Sequence, residues 1–304
     1  MQKGYFLVFL TAVISGFSVF INKFGVSVVN PFVFTGLKNL SVAVLLTGLI
    51  FILKDRKILK NISKKQWFLL ALIGLIGGCI PFLLFFKGLS LTSAALGGFW
   101  HKTMFIYAAV LAAIFLKEKI DKKFLFGGLL LVAGNILLLK QLSFTINYGD
   151  ILIVIATLFW AGENILSKHL LKDIKGNIVA WARMFFGALF ILIFLSVTGQ
   201  ATSIASLNLN QISWIFVTSI LLSGYVITWY GGLKFIPVSQ ATAILLLGSP
   251  ITTLLSFISG GIIGIQEIAA SLFIAVGILI ILGLGQILKL AEKAKSLIYS
   301  YVRA

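Results

Sequence analysis

The sequence predicts an all-α integral membrane protein with ten transmembrane helices, built as two inverted five-helix repeats with both termini cytoplasmic. Three observations predict it. The 304 residues are 60% hydrophobic and only 11% charged, with a mean hydropathy of +1.11, whereas soluble domains are about a quarter charged. Ten apolar runs lie between polar breaks, each near the ~20 residues that cross a bilayer. The chain also resembles itself when shifted by about half its length.

The runs lie near 5–22, 31–53, 67–86, 93–116 and 124–140, then 150–168, 178–198, 211–230, 238–258 and 268–288. They are apolar nearly all round and lack alternation, which favours helices over a barrel. Residues 5–22 carry no charge and exceed the roughly 7–15-residue core of a signal peptide, so they are read as the first span. Gly77, Gly78 and Pro81 interrupt the third run, and Gly248 and Pro250 the ninth. Gly231 and Gly232 are read as the end of the eighth. A proline in a span frees a carbonyl or lets the helix bend. Pro250 is the first candidate for a gating bend and Pro81 the second, with a static kink as its plainer reading.

Charge sets the orientation. If ten helices alternate, nineteen lysines and arginines fall on one side and only Lys23, Lys87 and Lys140 on the other. Positive charge marks the cytoplasmic side. The net charge of +17 therefore belongs to loops beside a lipid bilayer. It does not form the compact basic face that nucleic acid needs, so no nucleic-acid partner is expected. Two histidines and one cysteine make no metal cluster, and no cofactor is expected. In the tail, Ile287, Leu290, Ala294, Leu297 and Tyr301 follow helical spacing, with Lys289, Lys293 and Lys295 off that stripe. Residues 289–304 read as a basic amphipathic cytoplasmic tail or as the plain end of the tenth helix.

A shift of 145 sets "INK" (21–23) on "LSK" (166–168) and Lys38 on Arg183. A shift of 144 sets "FKGLSLTSAA" on "YGGLKFIPVS". Glu118 and Glu267 close the fourth and ninth runs. Residues 1–141 and 142–288 thus form two five-helix repeats. An odd number of helices turns the second upside down, an architecture of many secondary transporters with a site at the repeat interface.

These features resemble the EamA-type, ten-helix branch of the drug/metabolite transporter superfamily. The residues that carry the resemblance are "LFWAGENILSKHLL" (158–171), the early basic residues Lys38 and Arg183, and "GLKFIPVSQATAILLLGSPITTLLSFI" (232–258) followed by Glu267. "FKGLSLTSAALGGF" and "LKEKI" echo them in the first half. The resemblance implies a secondary transporter in the cell membrane, often an exporter of amino acids or other metabolites. The chain departs from its own symmetry at His101-Lys102, where the second half has only leucines.

Away from the ends of the runs, few strongly polar groups occur. They are Lys38, Asn39, His101, Lys102, Asn135, Glu163, Asn164, Arg183 and Gln240. A charge at the bilayer centre costs roughly 2.5–3.5 kcal/mol. Four of them uncompensated would cost about 10 kcal/mol, against a total stability of about 5–15 kcal/mol. Lys38 and Arg183 lie near helix ends, so snorkelling to an interface is their plain reading. Lys102 is roughly 15–20 Å from either surface at 1.5 Å per residue. It is therefore the leading candidate for substrate contact, with Glu163 as its expected partner. Glu163 is either a fixed ion-pair partner for Lys102 or Arg183, which is the preferred role, or a proton carrier. His101 is expected to be neutral and hydrogen-bonding. Trp100, Trp160, Tyr225 and Trp229, with Asn164, complete the expected substrate site; any single aromatic is more often packing.

The interior stays positive after Glu163 neutralises one cation. The expectation is a transporter, working as an exporter, of a small anionic or zwitterionic metabolite such as an amino acid. An organic-anion or phosphate-ester exchanger is the alternative. A proton or counter-substrate would drive it, and the state is a monomer or weak homodimer. The chain lacks the His-Glu-x-x-His motif and the Gly-rich phosphate loop and has no aspartate away from the ends of a span. A membrane enzyme is disfavoured on that ground, and a non-transporting scaffold by the charges at mid-depth.

Overall fold

The computed structural model describes residues 1–25, 28–92, 94–139, 146–260, 263–290 and 292. Among them are ten long helices and no strand. In chain order they begin with Gln2–Gly25 and Pro31–Ile52. The third runs Lys64–Ile73, Gly74–Cys79 and Ile80–Leu89, and the fourth Ala94–Lys102 and Met104–Phe115. Then follow Lys122–Leu137, Tyr148–Leu170, Gly176–Val197 and Leu209–Leu233. The ninth runs Val238–Ile244, Leu245–Leu247 and Gly248–Ile258, and the tenth is Ile265–Leu282. Nine are long and apolar enough to cross a membrane; the fifth has 16 residues.

Local chemistry explains the starts. Asn30 accepts from the amides of Phe32 and Val33 ahead of Pro31, whose missing N–H costs nothing at a first turn. Ser63 with Gln66, Asn147 with Asp150, and Asn208 with Gln211 form reciprocal caps. Asp150 is buried, and its carboxylate is used up by the Asn147 amide at 3.0 Å and the Thr92 hydroxyl at 2.7 Å. It belongs to the frame rather than to a site.

Two expected boundaries are corrected. The tenth helix stops at Leu282, short of 288, because Gly283 takes φ +79°, a conformation glycine adopts freely. Gly231 and Gly232 do not end the eighth helix. They lie inside it, and Gly232 lets the first helix approach: a Cβ there would stand 2.5 Å from Val8 and 2.9 Å from the Gly4 carbonyl. The tail reading falls almost wholly outside the described residues.

The packing obeys an exchange rule. The first helix packs on the eighth as the sixth packs on the third. The first meets the ninth as the sixth meets the fourth, and the second meets the eighth as the seventh meets the third. The second with the seventh, the fourth with the ninth and the fifth with the tenth are pairs of equivalent helices. Glycines make the crossings close, as helix association in lipid requires. The Gly4–Gly232 contact recurs as Gly149–Gly88, where each Cβ would lie 2.6 Å from the other residue's carbonyl oxygen.

Candidate functional site

Between the helices lies a cavity of about 170 Å³, lined by helices one to four and six to eight. That is room for one small organic molecule, since a cavity of about 150 Å³ holds benzene.

Its floor depends on a backbone irregularity. Gly74–Cys79 winds as a wide π-type turn inside the third helix. Pro81 follows, and its missing N–H cannot donate to the carbonyl of Gly77 four residues before it. Gly77 O therefore accepts from outside the helix, from Trp160 Nε1 and Arg183 Nη2, each at 3.0 Å. Gly78 O accepts from Asn39 Nδ2 at 2.8 Å. Both glycines are sterically required. A Cβ on Gly77 would lie 2.4 Å from Glu163 Cγ and 3.2 Å from Arg183 Nε, and one on Gly78 2.3 Å from Arg183 O.

Glu163 and Arg183 therefore flank the same point above Gly77. Glu163 accepts from the hydroxyls of Ser167 and Tyr230, the latter at 2.7 Å. The Arg183 guanidinium sits over the rings of Phe82 and Tyr230, at 5.8 and 5.9 Å. Its Nε has no hydrogen-bond partner. Asn164 accepts from Trp229 Nε1 at 3.0 Å. Tyr225 stacks on Trp229 with centroids 6.3 Å apart. His101 stands with its ring 5.3 Å from Phe85 and 5.1 Å from Trp160. Across the cavity, Lys38 Nζ donates to Asn22 Oδ1 at 3.0 Å and lies 5.5 Å from the Phe34 ring centroid. Asn22 donates to Ser18 Oγ at 2.9 Å.

Lys38, His101, Trp160, Glu163, Asn164, Arg183, Tyr225 and Trp229 thus all line one cavity, as their placement in the sequence led one to expect. Lys38 is 4% exposed and Arg183 6%, so neither snorkels. Lys102 and Trp100 are corrections: neither lines the cavity. The fourth helix turns His101 toward the cavity and Lys102 toward the ninth helix. Lys102 instead donates to Ser249 of the ninth helix. The expected Lys102–Glu163 pair is therefore not formed; Arg183 is the cation beside Glu163, but among the described residues the two do not reach ion-pair distance. Trp100 packs on Phe99 with centroids 5.0 Å apart. Pro81 and Pro250 are also outside the lining, but both adjoin irregular turns, Gly74–Cys79 and Leu245–Leu247.

Sequence reading missed Ser15, Ser18, Asn22 and the Phe82, Phe85 and Phe86 wall. The polar three had a signal: the same shift that sets "INK" on "LSK" carries them onto the sixth helix.

The profile of the EamA-like transporter family matches the chain twice, over residues 2–140 and 147–283. An uncharacterized transporter of Bacillus subtilis, YyaM, is 30% identical over 86% of this chain and 87% of its own. A riboflavin transporter of Fusobacterium nucleatum, ImpX, is 24% identical over 91% and 96%. A solved crystal structure shares the fold with a TM-score of 0.70 at 14% identity, covering 90% of this chain and 97% of that one. Ten long helices around a charged cavity and a twice-matched family profile agree: the chain belongs to the EamA-like transporter family of the drug/metabolite transporter superfamily and is a multi-pass transmembrane transporter, not an enzyme.

Proposed function

We propose that this transporter exports a small anionic or zwitterionic metabolite by alternating access between inverted five-helix halves, residues 1–141 and 142–288. The observation that carries the reading is the cavity itself. It lies between the halves and holds two cations, Lys38 and Arg183, against one carboxylate, Glu163. Charges inside a membrane protein mark the substrate path, and an excess of one sign attracts the other. Phe82, Phe85, Trp160, Tyr225 and Trp229 offer apolar surface for the rest of the molecule.

The positive-inside orientation makes the loops around 54–65, 117–123, 168–175 and 234 cytoplasmic. Contacts on that side support a state closed toward the cytoplasm. Tyr5 donates to Gln240, and Lys168 Nζ reaches the carbonyls of Leu233 and Ile236 at 2.7 Å each. Glu118 accepts from the amides of Val238 and Ser239 at 2.7 and 3.0 Å. Transport requires these contacts to open in turn. Glu163, already engaged by Ser167 and Tyr230, serves as the fixed partner of Arg183, and a gradient or counter-substrate supplies the drive.

The test is flux in proteoliposomes of the purified protein, across a panel of amino acids, 2-oxo acids, other small carboxylates and phosphate esters, each beside a neutral isostere. Accumulation of an anionic or zwitterionic member supports the reading. Carriage of neutral or cationic members alone sinks it. Strict dependence on a phosphate ester preloaded inside the vesicle would favour the exchanger.

A further inference from the structure

We infer that Lys38 is the docking point for the substrate's carboxylate, which takes the place that Glu163 fills in the other half. The inference rests on the transport reading above and names its substrate head group.

The duplication supplies the comparison. A shift of 145 carries Ser15, Ser18, Asn22 and Lys38 onto Trp160, Glu163, Ser167 and Arg183. The equivalence is visible in the contacts. In the second half Ser167 donates to Glu163, and in the first Asn22 donates to Ser18, with the same four-residue separation. Each half thus has a helical step that presents a polar group to a cation arriving from the next helix. The occupants differ. Arg183 has a carboxylate beside it, and Lys38 has Ser18 at that place.

Lys38 is left without a countercharge. All eight acidic residues of the chain are described, and none lies within ion-pair distance of its ammonium; Glu163 stands beside Arg183, itself short of ion-pair distance, and is bonded to Ser167 and Tyr230. Its partners are one neutral amide oxygen and an aromatic face. An ammonium that is 4% exposed needs an anion. The first half also leaves room for one. Ser15 and Ser18 stand where the second half has Trp160 and Glu163, so the missing indole and carboxymethyl volume opens the cavity on the side of Lys38. Charge and space are deficient at the same spot, and a bound carboxylate fills both. Asn22 and Ser18 can then share its second oxygen. A single carboxylate balances the cavity, and a phosphate dianion overfills it. The ligand is therefore a small monocarboxylate whose body packs on Trp160, Phe85 and Tyr225.

The experiment plants the missing acid. Ser18→Glu supplies an internal carboxylate for Lys38 and reproduces the arrangement of the second half. In proteoliposomes the probes are L-phenylalanine, phenylacetate, pyruvate and the remaining panel carboxylates, each against its amide. Ser18→Glu is expected to raise KM for the transported carboxylate about tenfold or more, the worth of one charge-assisted hydrogen bond, while its melting temperature holds or rises. Ser18→Gln, of the same size without the charge, fills the same room but leaves Lys38 without a counterion, and is expected to raise KM distinctly less than Ser18→Glu. Lys38→Met should lose the preference for acid over amide, and Lys38→Arg should keep it. Equal damage from Ser18→Gln and Ser18→Glu would mean crowding and would overturn the inference. So would an unchanged acid-over-amide preference in Lys38→Met that still folds by its melting curve. In both cases wild-type carboxylate flux would leave the transport reading intact. Wild-type flux confined to phosphate esters, or to no anion at all, would overturn the carboxylate site, and the latter would remove the anionic reading with it.

Discussion

The fourth and ninth helices fill equivalent places in the two halves, and they meet. Both lose regular winding at the same register. The fourth breaks at Thr103, whose hydroxyl donates to Trp100 O at 2.6 Å. A shift of 145 sets Thr103 on Gly248, where the ninth tightens into the turn Leu245–Leu247 just before Pro250. Two unrelated local chemistries give one break. The break is therefore a demand of the duplicated architecture, met separately by each half. The polar residue that marks the fourth helix, Lys102, does not serve the cavity at all. It crosses to Ser249 and ties one break to the other.

The largest test of this comparison concerns the helices packed against the breaks. Gly16 faces the ninth helix, and a Cβ there would stand 2.7 Å from Ile251 and 2.9 Å from Gly248 O. Its equivalent facing the fourth helix is Ala161, fully buried. Gly16→Leu should cost about 3 kcal/mol or more through overpacking. Ala161→Gly should cost only about 1 kcal/mol of helix propensity. Thermal unfolding in detergent measures both, and equal losses would break the comparison.

Next comes the tie itself. Lys102→Met should slow transport about tenfold while KM stays within about twofold, the signature of a conformational rather than a binding defect. A rise in KM alone would return Lys102 to the substrate.

A smaller effect is expected at the mouth beside Glu118, the cytoplasmic one in the proposed orientation. Glu118→Gln weakens charge-assisted bonds to Val238 and Ser239 and should loosen closure by about 1–2 kcal/mol. Faster maleimide labelling of Ser239→Cys from the cytoplasmic side would report it. The equivalent Glu267→Gln, at the far mouth, should leave that labelling unchanged.

The smallest is Pro250→Ala. Restoring an N–H lets the ninth helix close onto Leu246 O, and turnover should fall severalfold with an unaltered melting temperature. Unaltered turnover would mark the bend as static.

Helix number, the repeat and most of the cavity were legible in the sequence, because mid-span polar residues are costly and few. Lys38, Glu163 and Arg183 stand out on that ground alone. Which way a residue faces was not legible. His101 and Lys102 are neighbours in the chain, and only the packing of the fourth helix on the ninth turns one inward and the other away. Ser18 was invisible for the opposite reason: a serine in a span is unremarked, and its meaning lies in the Glu163 that stands opposite it in the other half. Tyr230, at the inner end of the eighth run, gave no cue that its hydroxyl reaches Glu163.

The wide turn at Gly74–Cys79 has a consequence for anyone mapping this protein by mutagenesis. The groups that fix Arg183, Trp160 and Asn39 are main-chain oxygens of Gly77 and Gly78. No substitution deletes a carbonyl. An alanine scan will crowd these positions without ever removing the acceptor, and will credit the site to side chains alone. A π-type turn is one residue more than a regular helix holds, so the informative lesion is a deletion. Removing one residue from 74–79 would swing the two parts of the helix by about 100° relative to each other, move those oxygens away from their donors and set Arg183 adrift with its charge intact.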